Sequence, residues 1–92
     1  MNVVWSERAE HDLLRHWLFL AERSTFYAER VEARLRSAAA LIGTVPFMGR
    51  RVVRTTCDLS LPDIQYVIRY RVDEDVVRIL EIYSPRQNRE EP

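Results

Sequence analysis

The sequence predicts an α+β domain in which an N-terminal strand and an antiparallel helical hairpin pack on one face of a three- or four-stranded antiparallel sheet. A short apolar strand opens the chain, two amphipathic helical stretches follow, and alternating β-branched and aromatic residues fill the last third. Runs of helix followed by runs of strand are typical of α+β proteins. A chain of 92 residues has room for one core, so we expect a single domain over residues 1–92.

The helical elements begin after the predicted strand 2–5. Ser6 is suited to cap a first helix over residues 7–23, because its side-chain oxygen can accept from an unpaired amide of the first turn. A second helix is predicted over residues 26–42, with Gly43 as a plausible stop. Apolar residues recur at helical spacing in both stretches, so each helix has one face that must be buried.

The strands follow a linker that contains both glycines of the chain. Residues 51–55 form a weak strand and residues 58–61 a better one. Residues 65–72 and 76–83 then form a hairpin around the acidic turn 73–75, since both stretches are rich in β-branched and aromatic residues. We expect the two helices to cover one face of this sheet and to leave the other open or available to a partner.

Arginines interrupt the apolar hairpin strands, which a hairpin that needed only to fold would not require. Side-chain alternation places Arg69 and Arg71 on the face opposite the core. Arg78 lies in the returning strand and Arg86 just beyond it. This pattern predicts a face that meets a polar or anionic partner.

The alternative explanation for these arginines is ordinary ion pairing at the surface, with Asp58, Asp63 or Glu81 as the acids. The sequence leaves the two explanations open. All 14 cations of the chain are Arg, and 14 acidic residues balance them. Arg suits bidentate contacts with carboxylates or phosphates, but coding bias in a GC-rich genome explains the absence of Lys more simply. The charge balance argues against broad binding of a phosphate backbone.

No metal or cofactor site is predicted. His11 and His16 lie about 140° apart around a helix and cannot share a metal, so we expect both at the surface or its rim. Cys57 is the only cysteine, so it forms no internal disulfide and is expected as a semi-buried structural thiol. No apolar run of membrane-spanning length and no secretory signal are visible. A reducing, cytoplasmic location is the expectation.

The order of these elements, with four landmarks, resembles the RelE/ParE family of toxins from bacterial type II toxin–antitoxin systems. The resemblance runs over almost the whole chain. The landmarks are Trp5-Ser6 through Leu13, Pro46-Phe-Met-Gly49-Arg50, Tyr66 through Val72, and Val77 through Tyr83 followed by Arg86-Gln87.

The resemblance favours the ParE-like branch, because Ser84 stands where the family often has the His of a His-x-Arg-Gln ending. It implies a growth inhibitor that binds DNA gyrase without catalytic residues of its own. It also implies a toxin–antitoxin hetero-oligomer with a cognate antitoxin, ParD-like or RelB-like, and contact with nucleic acid only through the antitoxin or the target. The target-binding residues would be Arg69, Arg71, Arg78, Arg86 and Gln87.

Two other functions stay open. One is a ribosome-dependent mRNA endoribonuclease of RelE type, using Arg69, Arg71, Tyr83 and Arg86. These residues are poorly suited to general acid–base catalysis, because Arg cannot exchange protons near neutral pH and Tyr is a poor base there. The other is a degenerate toxin that only binds its antitoxin.

The helices carry more apolar surface than their mutual packing explains. This excess predicts an exposed groove that receives an antitoxin helix. Its candidate residues are Leu14, Trp17, Leu18, Phe19 and Phe26. For Trp17, as for Trp5, an ordinary place in the core or at its edge is the alternative.

Overall fold

The computed structural model describes residues 1–88, with side chains through Arg86. The α+β architecture is confirmed: the helices pack against a five-stranded sheet in the order β1-β5-β4-β3-β2. The elements in chain order are β1 (Asn2–Trp5), α1 (Glu7–Ala21), α2 (Thr25–Thr44), β2 (Arg50–Val53), β3 (Thr56–Leu61), β4 (Tyr66–Asp73), β5 (Val76–Tyr83) and α3 (Pro85–Asn88).

The sheet is mixed rather than purely antiparallel. Strands β2 to β5 form the predicted antiparallel part, and β1 adds a fifth strand parallel to β5, with Trp5 opposite Ile79. A parallel neighbour needs a long connection, which the helices and the intervening strands supply. As a result β5 lies inside the sheet, and its first half is hydrogen-bonded on both sides. The chain after β5 forms the short helix α3.

Each of the helices α1 and α2 is capped at its N-terminus by the serine that precedes it. The Ser6 Oγ accepts from the Ala9 amide at 3.0 Å, and the Ser24 Oγ accepts from the Tyr27 amide at 3.1 Å. Each bond satisfies one amide that the first helical turn leaves without a partner.

The prediction that Gly43 stops the second helix is wrong: the helix was expected to end at residue 42, and α2 continues two residues further, to Thr44. Gly43 is needed for close packing instead. A Cβ on Gly43 would lie 2.8 Å from the Val3 side chain and 2.9 Å from the Met1 carbonyl oxygen. The missing side chain therefore lets the start of β1 approach the end of α2.

The core lies between the helices and one face of the sheet. Ala9 and Leu13 of α1 and Leu35 of α2 are buried against it. Alternation along β4 holds as predicted, since Tyr66, Ile68, Tyr70 and Val72 enter the core. The completely buried sheet residues are Cys57, Ile68, Tyr70, Val77, Ile79 and Ile82. The Cys57 thiol is thus deeper than the semi-buried position expected, beside Tyr70, whose pKa is raised to about 12 chiefly by burial.

The prediction that His16 lies at the surface is wrong. Its side chain is almost completely buried, whereas His11 is exposed. The His16 Nε2 bonds to the carbonyl oxygen of Ile82 at 3.0 Å, and Asp12, one turn earlier on α1, accepts from the Ile82 amide at 3.0 Å. A buried main-chain group needs a partner. Strand β1 ends before it reaches Ile82, so two polar side chains of α1 take the place of a neighbouring strand.

Two features are absent from residues 1–88. No helix there has the length and apolar character needed to cross a membrane. In the same residues, no group of three or more His, Cys, Asp or Glu side chains is placed to hold a metal ion.

Candidate functional site

The open face of the sheet carries a row of alternating charges. Asp58 on β3 lies opposite Arg69 on β4, and Arg69 lies opposite Glu81 on β5. Arg50 on β2 lies opposite Asp58 and completes the row. Cross-strand neighbours point to the same face of a sheet, so opposite charges alternate across four strands.

Asp58 organises the centre of this row. Its carboxylate accepts two hydrogen bonds from Arg69, at 2.8 and 2.9 Å, and a third from the Tyr83 hydroxyl at 3.0 Å. Burial opposes ionisation of Asp58, but the bonds from Arg69 and Tyr83 outweigh burial and hold the pKa of Asp58 below its ordinary value. The carboxylate is therefore charged in the folded protein near neutral pH.

Arg69 and Tyr83 are in turn fixed by Asp58. The Arg69 guanidinium lies 5.5 Å from the centre of the Tyr83 ring and 3.8 Å from a Glu81 carboxylate oxygen. The bond to Asp58 raises the pKa of Arg69. Burial and then the same carboxylate raise the pKa of Tyr83. Neither group is prepared to exchange a proton near neutral pH, so this cluster is suited to hold a fixed shape rather than to perform acid–base chemistry.

Arg71 and Arg78 form a second cluster on the same face. They lie directly opposite each other on β4 and β5. Asp73 bridges them, accepting from the Arg71 Nε at 3.0 Å and from the Arg78 Nε at 3.2 Å. Both arginine side chains remain nearly half exposed, at 44% and 48%. One carboxylate for two guanidiniums leaves this cluster with an excess positive charge that faces solvent.

Arg86 lies apart from both clusters. Its Nη1 donates to the side-chain oxygen of Gln65 at 2.8 Å. A cavity of about 330 Å³ lies beside this bond, and Ser60 and Pro62 contribute to its wall. The side chain of Gln87, the remaining predicted target-binding residue, lies outside the described residues.

The predicted site residues therefore form three groups: Arg69 with Tyr83, Arg71 with Arg78, and Arg86 alone. The sequence identified only some of the side chains that bind them. Asp58 and Glu81 were among the acids considered for ion pairing, and both contact Arg69. Asp63 was the third, but it pairs with Arg34 instead. Asp73 was expected to be a solvated turn residue and was missed as a bridge. Its position two residues after Arg71, on the same face of a strand, was the available signal.

The helical face presents an apolar ridge. Leu14 and Leu18 lie one turn apart on α1, and Phe19 follows; all three side chains are more than half exposed. They line a shallow cavity of about 410 Å³. Phe26, at the start of α2, is 70% exposed. Trp17 is half-buried and lines the cleft between the two helices, which fits the alternative of a core-edge residue.

These surfaces define a small α+β domain with an apolar helical face on one side and an arginine-bearing sheet face on the other. The chain belongs to the ParE toxin family: the family model described as ParE toxin of the type II toxin–antitoxin system parDE matches residues 3–89. The chain is thus a toxin of the type II toxin–antitoxin class.

Known relatives agree with this assignment. Toxin RelE1 of Caulobacter vibrioides is 35% identical over 90 residues, which cover 96% of this chain and 97% of that toxin. Toxin RelE2 of the same organism is 35% identical over 81 residues, covering 88% and 91%. A chain of the chromosomal ParDE system from P. aeruginosa superposes with a TM-score of 0.78 at 18% identity, covering 91% of this chain and 95% of that one. At that identity the superposition supports the fold alone.

Proposed function

We propose that this chain inhibits growth by binding DNA gyrase through the open sheet face and is neutralised by a cognate antitoxin that binds the helical face. The observation that carries the first half is the Arg71–Asp73–Arg78 cluster, in which two exposed guanidiniums share one carboxylate. An acidic or polar surface of the target can replace solvent around these cations without displacing a buried group. The toxin would act in the cytoplasm, where gyrase meets DNA.

Binding rather than catalysis is supported by the state of the titratable groups on this face. The pKa of Tyr83 and that of Arg69 are both raised above values that are already high. Both side chains are also engaged by Asp58. A toxin that traps its target needs a rigid, complementary surface and no proton exchange, and the Asp58 cluster provides such rigidity.

The antitoxin surface is supported by the exposure of the apolar ridge. Leu14, Leu18 and Phe19 project from one helix, and a ridge of this kind suits an amphipathic segment of a partner. Four of the five candidate residues, Leu14, Leu18, Phe19 and Phe26, are exposed, and Trp17 is half-buried. Covering the ridge would remove from water the most exposed large apolar side chains of α1. A toxin–antitoxin hetero-oligomer follows from this mode of binding.

A gyrase supercoiling assay tests the target. The purified chain should inhibit supercoiling at micromolar concentration and should increase the amount of cleaved DNA trapped on gyrase. Unchanged supercoiling, with no trapped DNA, would contradict gyrase binding. Co-purification of the chain with the product of a neighbouring short reading frame tests the antitoxin. Leu18→Asp should abolish that co-purification without changing thermal stability.

A second candidate function is the mRNA endoribonuclease, which one observation favours: the Arg69 guanidinium lies over the Tyr83 ring, so two residues of the alternative set are adjacent. Arg86 donates to Gln65, away from that pair. Primer extension on mRNA after induction separates the candidates. Cuts within codons would support the endoribonuclease, and intact message in arrested cells would support gyrase binding. Normal growth with retained antitoxin binding would indicate a degenerate toxin.

A further inference from the structure

The cavity of about 330 Å³ beside Arg86 lies where the turn between β3 and β4 meets the chain after β5. Pro62 of that turn and Pro85 at the start of α3 both line it, and the ring of each proline restricts its main chain. Ser60 and Val67 continue the lining onto the sheet, where they are cross-strand neighbours on the open face. The cavity therefore adjoins the open face but belongs to neither of its two charge clusters.

Arg86 brings a positive charge to this cavity. Its Nη1 donates to the side-chain oxygen of Gln65 at 2.8 Å, and this neutral acceptor orients the guanidinium without neutralising it. Within residues 1–88, Arg86 forms no ion pair. The carboxylate of the same turn, Asp63, bonds instead to Arg34 at 2.8 Å. The other N–H groups of Arg86 can hold a carboxylate by two parallel hydrogen bonds.

Gln65 holds Arg86 from a strained position. Its main chain is left-handed, with φ of 63°, a region that glycine occupies freely and other residues occupy at an energetic cost. The turn enforces this conformation, because the amides of Ile64 and Gln65 both donate to the Leu61 carbonyl oxygen, at 3.2 and 2.8 Å. Such strain persists mainly where it serves a function. The presence of glutamine rather than glycine therefore indicates a role for its side chain.

We propose that this cavity receives an acidic side chain of the target protein, and that Gln65 is the positioning residue that directs Arg86 towards its carboxylate. The identity of that target rests on the function proposed above. The carboxylate would bond to the guanidinium and to the Ser60 hydroxyl, and the apolar wall would cover the methylene groups beside it. Because the turn and the guanidinium are already held in place, little side-chain entropy is lost on binding.

A phosphate of nucleic acid fits this cavity less well. Tight binding to a phosphate backbone uses several cations, and Arg86 is the one cation among the described residues that line the cavity. Arg69, further along the sheet, is engaged by Asp58. The side chains of Leu61 and Val67, with those of the two prolines, make much of the wall apolar. One guanidinium beside an apolar wall matches one carboxylate on an aliphatic stem.

The test uses the full chain and two peptides, acetyl-Phe-Glu-Phe-amide and its neutral counterpart acetyl-Phe-Gln-Phe-amide. Titration of the isotope-labelled chain, followed by nuclear magnetic resonance, should show that the glutamate peptide binds about tenfold or more tightly. The largest shifts should occur at Gln65 and Arg86. Equal affinity for the two peptides, or shifts confined to other surfaces, would overturn the proposal. Tighter binding of thymidine monophosphate than of the glutamate peptide would also overturn it, in favour of a nucleotide.

Three variants separate positioning from stability. Arg86→Gln should abolish the preference for the glutamate peptide. Gln65→Gly should reduce that preference about threefold or more, although it relieves the strain and should unfold at the native temperature or higher. Glu74→Gly is the matched control, because Glu74 also has a positive φ, of 30°, but lies in the turn at the other end of β4. It should keep the native preference. A native preference in Gln65→Gly would show that Gln65 does not position Arg86.

Gyrase assays distinguish this proposal from the function on which it rests. If the native chain traps cleaved DNA, about threefold or more of Gln65→Gly or Arg86→Gln should be needed for the same trapping. Equal trapping by the native chain and both variants would overturn a role of the cavity in target binding. If the native chain traps no DNA, the gyrase target is wrong. The peptide titration, which uses no gyrase, then still decides whether the cavity binds a carboxylate.

Discussion

The Nε2 atom of His16 lies 3.0 Å from the carbonyl oxygen of Ile82, and this contact joins the helical layer to the strand that carries the open-face cluster. Asp12 holds the amide of the same residue. Ser6 donates to the carbonyl of Leu80 at 3.0 Å. Ser6 lies just before α1, and Asp12 and His16 lie within it. These three side chains bond to the main chain of β5 beyond the point where β1 ends. Ile82 is buried between two residues of the open face, Glu81 and Tyr83.

The His16 contact predicts a stability that depends on pH. Burial, aided by the charge of Arg15, lowers the pKa of His16 below its ordinary value of 6.5. The unfolded chain then takes up a proton more readily than the folded one. The stabilisation is complete above pH 6.5 and is lost as the pH falls through the folded value. Denaturant unfolding from pH 7.5 to 5 should show this loss, and His16→Gln should reduce the slope.

The control for that series is His11→Gln, because His11 is exposed on the same helix. Its unfolding free energy should vary with pH as it does in the native chain. If His16→Gln left the slope unchanged, the buried imidazole would not be the source of the pH dependence.

Asp12→Ala should destabilise the fold by about 2 kcal/mol, because it leaves the buried Ile82 amide without an acceptor. Urea unfolding measures the change. Glu10→Ala on the same helix is the control: its partner Arg36 and the pair itself are exposed, so less than about 1 kcal/mol is expected. Equal losses in the two variants would contradict the role assigned to Asp12.

Asp58→Asn tests the centre of the open face. The substitution keeps the shape of the side chain but removes the charge that holds Arg69 and Tyr83. A loss of about 2 kcal/mol at neutral pH is expected. Because the pKa of Asp58 is held below its ordinary value of 3.8, its stabilisation is present above that pH and is lost in stronger acid. The variant should therefore be less sensitive to acid than the native chain.

Asp63→Asn is the matched control, since the Asp63 pair with Arg34 is exposed. Its loss of stability at neutral pH should be much smaller than that of Asp58→Asn, because solvent screens an exposed ion pair. Thermal unfolding compares the two variants directly. A larger loss for Asp63→Asn would show that Asp58 is not the organising carboxylate.

Gly49→Ala should destabilise the chain by about 1–3 kcal/mol, because the new Cβ would lie 2.8 Å from both the Asp58 carbonyl oxygen and the Tyr70 hydroxyl. The loop before β2 would have to move and give up its bond to Tyr70. Thermal unfolding measures the loss, and near-ultraviolet circular dichroism reports the tyrosine environment. An unchanged midpoint would mean that the loop adapts without cost.

The sequence predicted those parts of the fold that local patterns determine. Ser6 begins the first helix as capping rules require, and alternation along β4 sends Ile68 and Tyr70 inward and Arg69 outward. It did not predict the parallel pairing of β1, which depends on where the helices return the chain. Nor did it predict the burial of His16. A polar residue on the core side of a helix is accommodated only because β5 presents a main-chain carbonyl at that point.

The candidate site was predicted only in part for a related reason. The pattern indicated that Arg69, Arg71 and Arg78 share a face, because that follows from alternation and from the hairpin. Which acid each arginine contacts depends on strand register and on the bulge in β5 opposite Arg69 and Tyr70. Register is a tertiary property, so the three bonds to Asp58 and the Asp73 bridge emerged only from the structure.

The central claim is that the open face acts on gyrase by binding through its exposed arginines. Gyrase-mediated DNA cleavage, titrated with the native chain and with Arg71→Gln/Arg78→Gln, tests this most directly. Arg23→Gln/Arg34→Gln removes the same charge from the helical hairpin, where Arg23 lies in the turn and Arg34 in α2, and serves as the control. The account predicts trapped DNA with the native and control chains, and a requirement for about tenfold or more of the Arg71/Arg78 variant. Equal trapping by all three chains, or none by any, would contradict it.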